Sequence, residues 1–167
     1  MDWKVRLSTV EDVPGVAAAL QSAYPILMAP AYDPETLARA LPSMIRPNLY
    51  LLGSGRYFVA EVGKRIIGAG GWSHEAPGAQ GGAVTRGLAH LRHFAVHADW
   101  SGRGVGRSLY AACAAQCIGE GVVELEVIST LNGEVFYRAL GFETEAAIEI
   151  EMAGLRLPSL RMRRRLG

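Results

Sequence analysis

The sequence predicts an α/β (α+β) domain with a mixed, mostly antiparallel central sheet of roughly six to seven strands, one parallel pair and about four flanking helices. Short β-rich runs bounded by glycine turns recur along the chain, and helical stripes with capping signals lie between them. A single strand–helix–strand crossover, from His90 to Ile128, makes its two strands parallel. The 167 residues, of which 50% are hydrophobic, suffice to bury one core, so we expect a single domain over residues 1–167.

The N-terminal part is predicted as a strand followed by two helices. Trp3–Leu7 alternates apolar and charged residues, as a half-buried strand does, and Ser8 with Glu11 forms a capping-box pattern. A helix is therefore expected from about Val10 to Ala23. Prolines interrupt the next stretch, and a second helix is expected from Pro34 to about Leu41, with the preceding aspartate as its N-cap. The rest of this region is expected to be irregular.

The middle of the chain is predicted as a hairpin, a loop and the first strand of the crossover. Tyr57–Val62 and Arg65–Trp72 are β-rich and are joined at Gly63-Lys64, which is a tight-turn pattern. Glu75–Arg86 is rich in glycine and is expected to be a long loop that is functional or mobile. It leads into a strand over His90–Val96.

The C-terminal part alternates helices and strands. Gly104–Ile118 has apolar residues at helical spacing and is followed by two glycines that end the helix, and Val122–Ile128 is again β-rich. Gly133–Leu140 is predicted as a short helix, and two closing strands are expected around Ala146–Met152 and Ser159–Arg165.

The overall charge is nearly balanced. The formal net charge is +1, from 17 basic and 16 acidic residues, so no strong field would draw the protein to nucleic acid or to a membrane surface. The longest apolar runs, such as Val13–Leu20, are much shorter than the roughly 20 residues that a membrane-spanning helix needs. The first residues also lack the layout of a signal peptide. We therefore expect a cytoplasmic protein without nucleic-acid or membrane partners.

The two cysteines, Cys113 and Cys117, lie four residues apart on one predicted helix. That helix contains no histidine, so the pair is a poor metal site, and the helical spacing disfavours a disulfide. We expect buried, reduced thiols and no metal site.

Three glycines cluster where the crossover strand meets its helix, in Ser101-Gly102-Arg103-Gly104-Val105-Gly106. Glycine lets the backbone approach a ligand closely, and the free N–H groups at a helix start favour an anion, above all a diphosphate. The Walker pattern requires Gly-Lys-Ser/Thr, whereas this chain has Gly106-Arg107-Ser108. The dinucleotide pattern Gly-x-Gly-x-x-Gly also fails, because Arg107 stands where its third glycine is required.

The same stretch resembles the acyl-coenzyme A loop of the GNAT superfamily of N-acetyltransferases, which reads Arg/Gln-x-x-Gly-x-Gly/Ala after a strand that ends in valine. Here the pattern is Ser101-x-x-Gly104-x-Gly106, preceded by Val96. The resemblance implies the GNAT fold, with a splayed parallel pair, and implies that the amides of residues 102–107 hold the pyrophosphate of coenzyme A.

One position of this loop departs from the family pattern. Ser101 stands where the family has a long side chain, with Arg103 and Arg107 near enough in sequence to supply positive charge instead. The departure is expected to act on cofactor affinity and not on the backbone geometry of the loop.

A second motif supports the resemblance. The segment from Phe136-Tyr137 to Gly141-Phe142 resembles the GNAT signature Phe-Tyr-x-x-x-Gly-Phe. By that resemblance Tyr137 is the general acid that returns a proton to the leaving thiolate, while Phe136 packs beside it. Asn132 is a candidate to bond the pantetheine amides, although it lies five residues before the tyrosine and not seven as in many relatives, where this chain has Thr130.

The resemblance also assigns a role to the strand before the loop. In the family the acetyl-pantetheine arm enters the splayed gap and pairs with backbone, here at Phe94, Ala95 and Val96, and the Val96 N–H is the implied oxyanion donor. The predicted residues that bind the cofactor, acetyl-CoA, are thus Phe94, Ala95, Val96, Ser101, Gly102, Arg103, Gly104, Val105, Gly106, Arg107, Asn132 and Phe136.

The general base is predicted on the same strand. Residues 89–97 resemble the corresponding strand of arylalkylamine acetyltransferases, in which two histidines deprotonate the amine through water. His90 matches the first of them and Arg92 stands at the second position, so His90 is the predicted base and His93 its alternate. Glu124 and Glu126 on the neighbouring strand are further candidates, although such alternating charges are commonly a solvent-facing edge.

These residues predict transfer of an acetyl group from acetyl-CoA to a primary amine of a small molecule or peptide, by direct attack in a ternary complex. The alternative is a domain that binds acyl-CoA as a sensor or scaffold without turnover, and a protein-modifying acetyltransferase is a third reading. The acceptor site is expected between residues 10–45 and the loop after the hairpin; its candidate lining residues are Tyr24, Tyr32, Trp72 and His74. A homodimer through the last strands is expected by resemblance alone.

Overall fold

The computed structural model describes residues 2–78 and 82–167. Its strands are β1 (Lys4–Leu7), β2 (Tyr57–Val62), β3 (Arg65–Ser73), β4 (Leu88–Val96), β5 (Glu124–Thr130), β6 (Glu143–Met152) and β7 (Leu155–Arg165). Its helices are α1 (Val13–Met28), α2 (Pro34–Met44), α3 (Leu49–Leu52), α4 (Val105–Gly119) and α5 (Glu134–Ala139).

The strands of the described residues form one sheet in the order β1-β2-β3-β4-β5-β7-β6. All neighbouring pairs are antiparallel except β4 and β5, which the α4 crossover makes parallel. The predicted fold class, a mixed and mostly antiparallel sheet with one parallel pair, is therefore confirmed. There are five helices in the described chain, one more than predicted.

Hydrophobic clusters cover both faces of the sheet. On the first face, α1, α2 and α3 pack over strand residues such as Tyr57, Val59 and Ala69. On the second face, α4 and α5 pack over residues such as Trp72 and Leu125. Because side chains alternate along a strand, each strand residue can be assigned to one of these faces.

The first helix is longer than predicted. α1 continues past Pro25 to Met28, whereas the sequence suggested an end at Ala23. Proline removes one helical hydrogen bond, but Met28 has no solvent exposure and packs in the core of the first face. Tertiary packing of the last turn therefore outweighs the local signal to stop.

The predicted capping pair at the start of this region is displaced by one residue. The Thr9 N–H donates to Asp12 Oδ2 at 2.8 Å, so the reciprocal pair is Thr9 and Asp12 and not Ser8 and Glu11. The Ser8 hydroxyl instead donates to the carbonyl oxygen of Leu52 at 2.9 Å, which joins the end of β1 to α3.

The region expected to be irregular contains regular structure. α2 extends to Met44, and α3 is a single turn whose N-cap, Asn48, accepts a hydrogen bond from the Leu51 N–H at 3.1 Å. Leu51 and Leu52 are almost fully buried under the sheet. Four residues are too few for a periodic signal, which is why the sequence did not reveal this helix.

The predicted loop from Glu75 to Arg86 lies partly outside the described residues, at 79–81. On either side of that gap the Ala76 N–H donates to the Ala83 carbonyl oxygen at 2.9 Å, and Glu75 and Val84 form an isolated antiparallel bridge. The helices within residues 2–78 and 82–167 include none that is both long and apolar enough to cross a membrane.

Candidate functional site

The loop between β4 and α4 presents backbone to open space. We call Ser101–Arg107 the glycine loop. Gly102 and Gly104 have φ angles of 74° and 94°, which favour glycine, and a Cβ built at Gly102 would meet no atom within 4 Å. Gly104 is the N-cap of α4, so the first amides of that 15-residue helix follow directly. The Arg103 guanidinium lies 5.1 Å from the centre of the Trp100 ring, which keeps this positive charge beside the loop.

Close packing joins the glycine loop to α5. A Cβ on Gly106 would lie 2.8 Å from Cε1 of Phe136, so only glycine lets the two helices approach this closely. The same position is 3.7 Å from a methyl carbon of Val96. Phe136, the glycine loop and the end of β4 therefore meet at one place, although they are separated in sequence.

β4 and β5 separate after three paired positions. Leu88, Ala89 and His90 pair with Glu124, Leu125 and Glu126, and no later pair forms, although β4 runs on to Val96 and β5 to Thr130. β5 instead remains paired with β7 over its whole length. The parallel pair is thus splayed, and its gap opens toward the glycine loop.

A bulge bends β4 beside this gap. Two β4 residues, His93 and Phe94, lie opposite one β3 residue, and His93 has a φ of 54°, a strained conformation for a residue other than glycine. The Tyr57 and Tyr24 hydroxyls donate to the carbonyl oxygens of His93 and Phe94, each at 2.8 Å. The His93 ring also donates from Nε2 to the carbonyl oxygen of Met44 at 2.9 Å, because a carbonyl can only accept.

The ladder beyond the bulge directs the Val96 peptide into the gap. The His97 N–H donates to the carbonyl oxygen of Ile67 on β3 at 2.8 Å. Successive residues of a strand direct their peptide groups to opposite sides, so the N–H and C=O of Val96 face away from β3 and toward β5. This backbone is available to a ligand in the gap.

Tyr137 lies at the inner end of the gap. Its side chain is 8% exposed, and its ring centre is 6.5 Å from that of Phe94. Burial raises the pKa of the phenol well above its usual value, so the hydroxyl carries its proton at neutral pH. A buried, protonated phenol beside the bulge can serve as a proton donor.

Two polar atoms in this region are buried without a hydrogen-bond partner in the described chain. One is Asn132 Oδ1, at the end of β5, and the other is His90 Nδ1, at the fork of the two strands. Buried polar groups without partners are uncommon and costly, so each requires an explanation. A ligand in the gap would provide one for Asn132.

His90 and Glu126 form a buried pair across the fork. His90 Nδ1 lies 3.3 Å from Glu126 Oε1, outside good hydrogen-bond geometry, and Arg163 also holds Glu126, with Nε 3.0 Å from Oε2. Burial lowers the pKa of His90. Glu126 acts to raise this pKa, but Arg92 and Arg163 act to lower it and partly offset the effect of Glu126. The imidazole is therefore neutral near pH 7 and able to accept a proton.

Glu126, the further candidate on β5, does not lie on a solvent-facing edge. It is only 8% exposed because β4 and β7 flank it. His90 and Glu126, predicted as alternatives, are direct neighbours. No sequence signal reveals this contact, because it depends on the register of two strands whose paired residues are 36 positions apart in sequence.

The other candidates occupy different surroundings. The Tyr32 hydroxyl donates to the carbonyl oxygen of Pro158 at 2.6 Å, which ties the segment between α1 and α2 to β7. Trp72 is fully buried on the second face, where its indole donates to Gln116 at 2.7 Å and His74 lies against its ring. Trp72 and His74 are thus remote from the face that carries His90, whereas Tyr24 reaches the bulge.

The cysteines lie in the core of the second face. Both are free and buried, and burial raises the pKa of the Cys117 thiol to about 12 and that of Cys113 well above its usual value. Thiols with such pKa values are not ionised at neutral pH and are poor nucleophiles. The described residues include no cluster of three or more histidine, cysteine or acidic side chains that could hold a metal ion.

Comparison with known proteins adds to this geometry. A family model described as "Acetyltransferase (GNAT) domain" matches residues 53–144, which is more than half of the chain. A search of curated proteins gave no significant match.

Solved structures share the fold over nearly the whole chain. A GCN5-related N-acetyltransferase from Rhodopseudomonas palustris superposes with a TM-score of 0.81 at 21% identity, covering 99% of this chain and 97% of that one. The PaiA N-acetyltransferase from Thermoplasma acidophilum, solved in complex with coenzyme A, gives 0.73 at 14% identity, with 99% of both chains covered. Ard1 from Thermoplasma volcanium gives 0.69 at 16% identity, again with 99% of both covered. At these identities the similarity shows the fold.

Proposed function

We propose that this chain, which belongs to the GNAT acetyltransferase family, transfers the acetyl group of acetyl-CoA to a primary amine of a small molecule or peptide by direct attack in a ternary complex. The observation that carries the proposal is the gap between β4 and β5, which opens toward the glycine loop and has Tyr137 at its inner end. A gap with backbone groups on one side and a proton donor inside suits a long thioester.

The residues around the gap fit coenzyme A. The open backbone of Gly102 and Gly104, together with the first amides of α4, suits a diphosphate. Ser101 carries no charge, and Arg103 and Arg107 supply positive charge to the loop instead. Phe94 and Val96 lie on the β4 side, whereas Ala95 pairs with Ala69 of β3, so its backbone groups face away from the gap that the resemblance assigned to them. Phe136 lies against the loop at Gly106. Asn132 Oδ1, buried without a partner, can accept a hydrogen bond from a pantetheine amide.

Chain geometry favours a thioester near the bulge over one at Val96. Val96 lies six positions after His90, so their Cα atoms are roughly 20 Å apart along an extended strand. Tyr137 packs beside Phe94, at the bulge. We therefore propose that the Val96 amide binds the pantetheine arm and that the reacting carbonyl lies closer to Phe94, where Tyr137 can reach it.

The chain then handles two protons. When bound, acetyl-CoA supplies a thioester whose carbonyl carbon forms a bond to the amine nitrogen as the bond to sulfur breaks. Neutral His90, held beside Glu126, accepts through water the proton that the nitrogen loses. Tyr137 donates its proton to the thiolate and is afterwards reprotonated from solvent. No acyl-enzyme is proposed, because Cys113 and Cys117 are buried and un-ionised.

Thermal unfolding with and without acetyl-CoA, combined with thiol release, tests this proposal. A ligand that binds only the native state, at a concentration about 100-fold above its Kd, raises the free energy of unfolding by about 2.7 kcal/mol. For a chain of this size, that raises the midpoint of thermal unfolding by roughly 5–10 °C. Amine-dependent release of thiol is expected in addition. A midpoint shift without release for any amine would favour the sensor or scaffold, and no shift at saturating cofactor would overturn both functions.

A further inference from the structure

Arg92 lies at the fork of β4 and β5, on the same face as His90. It pairs with Gly71 in the regular part of the β3–β4 ladder, directly before the bulge at His93. Since β4 and β5 last pair at His90, Arg92 is the first residue of this face that projects beyond the paired strands. Along β4, its Cα therefore lies between the proposed base and the proposed position of the thioester.

The guanidinium of Arg92 is half-buried and lacks an acidic partner. It donates from Nη1 to the Ser73 hydroxyl at 2.9 Å, and Ser73 in turn donates to the carbonyl oxygen of Glu75, which fixes its orientation. In the part of the chain that the structure describes, no carboxylate lies within 4.0 Å of this guanidinium. Burial lowers the pKa of Arg92, with Glu75 acting in the opposite direction.

Three other partly buried arginines of this protein have carboxylate partners, whereas Arg164 donates to the Tyr110 hydroxyl and to a carbonyl oxygen. Arg6 contacts both Asp12 and Glu61, and Arg56 contacts Glu120 at 2.9 Å. Arg163, on the same face as Arg92, contacts Glu124, Glu126 and Glu145 and so satisfies the acidic residues around the fork. These carboxylates are therefore already engaged, and Arg92 is left with free donors beside the reaction site.

A guanidinium has five N–H donors in a planar arrangement that matches a carboxylate. Removing such a charge from water is costly unless an anion compensates for it. Arg92 has no carboxylate in contact with it among the described residues, and its Cα is two strand residues, or roughly 7 Å, from that of His90. This separation suits one small molecule with a carboxylate at Arg92 and its amine near the proton acceptor.

We propose that Arg92 binds a carboxylate of the acceptor, and that the acceptor is an amino acid or another small amine bearing a carboxylate. The inference rests on the proposed acetyl transfer and narrows its acceptor. Arg92 is then the residue that determines specificity, and the carboxylate it holds places the amine toward His90 and the gap.

Paired acceptors test the inference. The free standard amino acids and the series glycine, β-alanine and γ-aminobutyrate are compared with the amide of each, with thiol release as the readout. We expect kcat/KM for at least one acid to exceed that of its amide by about 10- to 100-fold, as the loss of a hydrogen-bonded ion pair implies. Amides that react as well as the acids would overturn the proposal.

Variants of Arg92 and of its neighbours test whether this residue causes the preference for acids over amides. Arg92→Gln should raise KM for the acid by about 10- to 100-fold and abolish the preference over the amide. Arg92→Lys should restore part of the preference. If Arg92→Gln folds poorly, Ser73→Ala provides a milder change, because it removes only the hydrogen bond that orients the guanidinium. Ser73→Ala is expected to raise KM for the acid by a few-fold. The matched control is Arg56→Gln, because that arginine is paired and lies on the second face beside Trp72.

Failure of this inference can be told from failure of the proposed function. If acetyl-CoA raises the unfolding midpoint of wild-type protein and neither acids nor amides release thiol, the acceptor class is wrong while cofactor binding stands. If an acid is preferred and Arg92→Gln keeps that preference, another residue binds the carboxylate and the assignment of Arg92 is wrong. If acetyl-CoA gives no midpoint shift, the proposed function itself fails.

Discussion

The two halves of the candidate site are built differently. The cofactor half, formed by Val96 and the glycine loop, is nearly contiguous in sequence and offers mainly backbone groups. The acceptor half, formed by His90, Arg92 and Glu126, is assembled from side chains on two strands that meet only in the folded sheet. Recognition by local backbone leaves a pattern in the sequence, whereas recognition by side chains on separate strands leaves almost none.

The largest expected effect concerns the cofactor half. Gly104→Glu places a carboxylate at the start of α4 and strains a φ of 94°, so repulsion and lost amide contacts should weaken acetyl-CoA binding by about 1,000-fold. The midpoint shift with acetyl-CoA should disappear. Gly121→Glu is the matched control, since Gly121 also has a positive φ, 80°, and open space around it, but lies at the far end of α4. Equal loss of the shift in both variants would mean that strain alone is responsible.

The second effect concerns the proton donor between the two halves. Tyr137→Phe should lower kcat by about 100-fold while the acetyl-CoA midpoint shift stays as in wild type, because the ring remains and only the proton is lost. Tyr110→Phe, which removes another tyrosine hydroxyl of the same core and its bond from Arg164, is the control for packing. Unchanged kcat in Tyr137→Phe would remove the general-acid role.

The predictability of the molecule follows the same division. The sheet with its parallel pair and the position of the glycine loop between β4 and α4 were predictable, because strand periodicity and clustered glycines are local properties. The bulge at His93 was not, since its strained φ is held by hydroxyls from Tyr24 and Tyr57 that come from distant elements. The extension of α1 to Met28 was missed for a related reason, because core packing opposed a local proline signal.

The third effect tests whether the acceptor half contributes a base. Because the pKa of His90 lies below its usual value of about 6.5, wild-type kcat/KM should fall as the pH drops through that lowered pKa, where the imidazole becomes protonated. His90→Gln should lose about 10-fold in activity near pH 7 and should lack this acidic limb. His97→Gln, which changes a histidine just beyond β4, should keep the limb. An unchanged profile in His90→Gln would assign the base elsewhere.

The same substitution has a consequence for stability. A histidine with a lowered pKa binds protons less tightly in the folded than in the unfolded chain, so the free energy of unfolding falls as pH decreases below about 6.5. His90 and His93 both have lowered pKa values through burial. Wild-type protein should therefore lose thermal stability between about pH 6.5 and pH 5, and His90→Gln should lose less. Parallel midpoint curves for the two proteins would show that His90 is not the group responsible.

The smallest effect compares two asparagines that differ in their partners. Asn132 Oδ1 has no protein partner, so Asn132→Ala should leave the unfolding midpoint without ligand nearly unchanged and raise KM for acetyl-CoA by about five-fold, the value of one neutral hydrogen bond. Asn48 Oδ1 accepts a bond from the Leu51 N–H as the N-cap of α3, so Asn48→Ala should cost about 1 kcal/mol of stability and leave that KM unchanged. The opposite responses arise because one amide oxygen is satisfied within the fold and the other is available to a ligand. A KM unchanged in Asn132→Ala would remove Asn132 from the cofactor half.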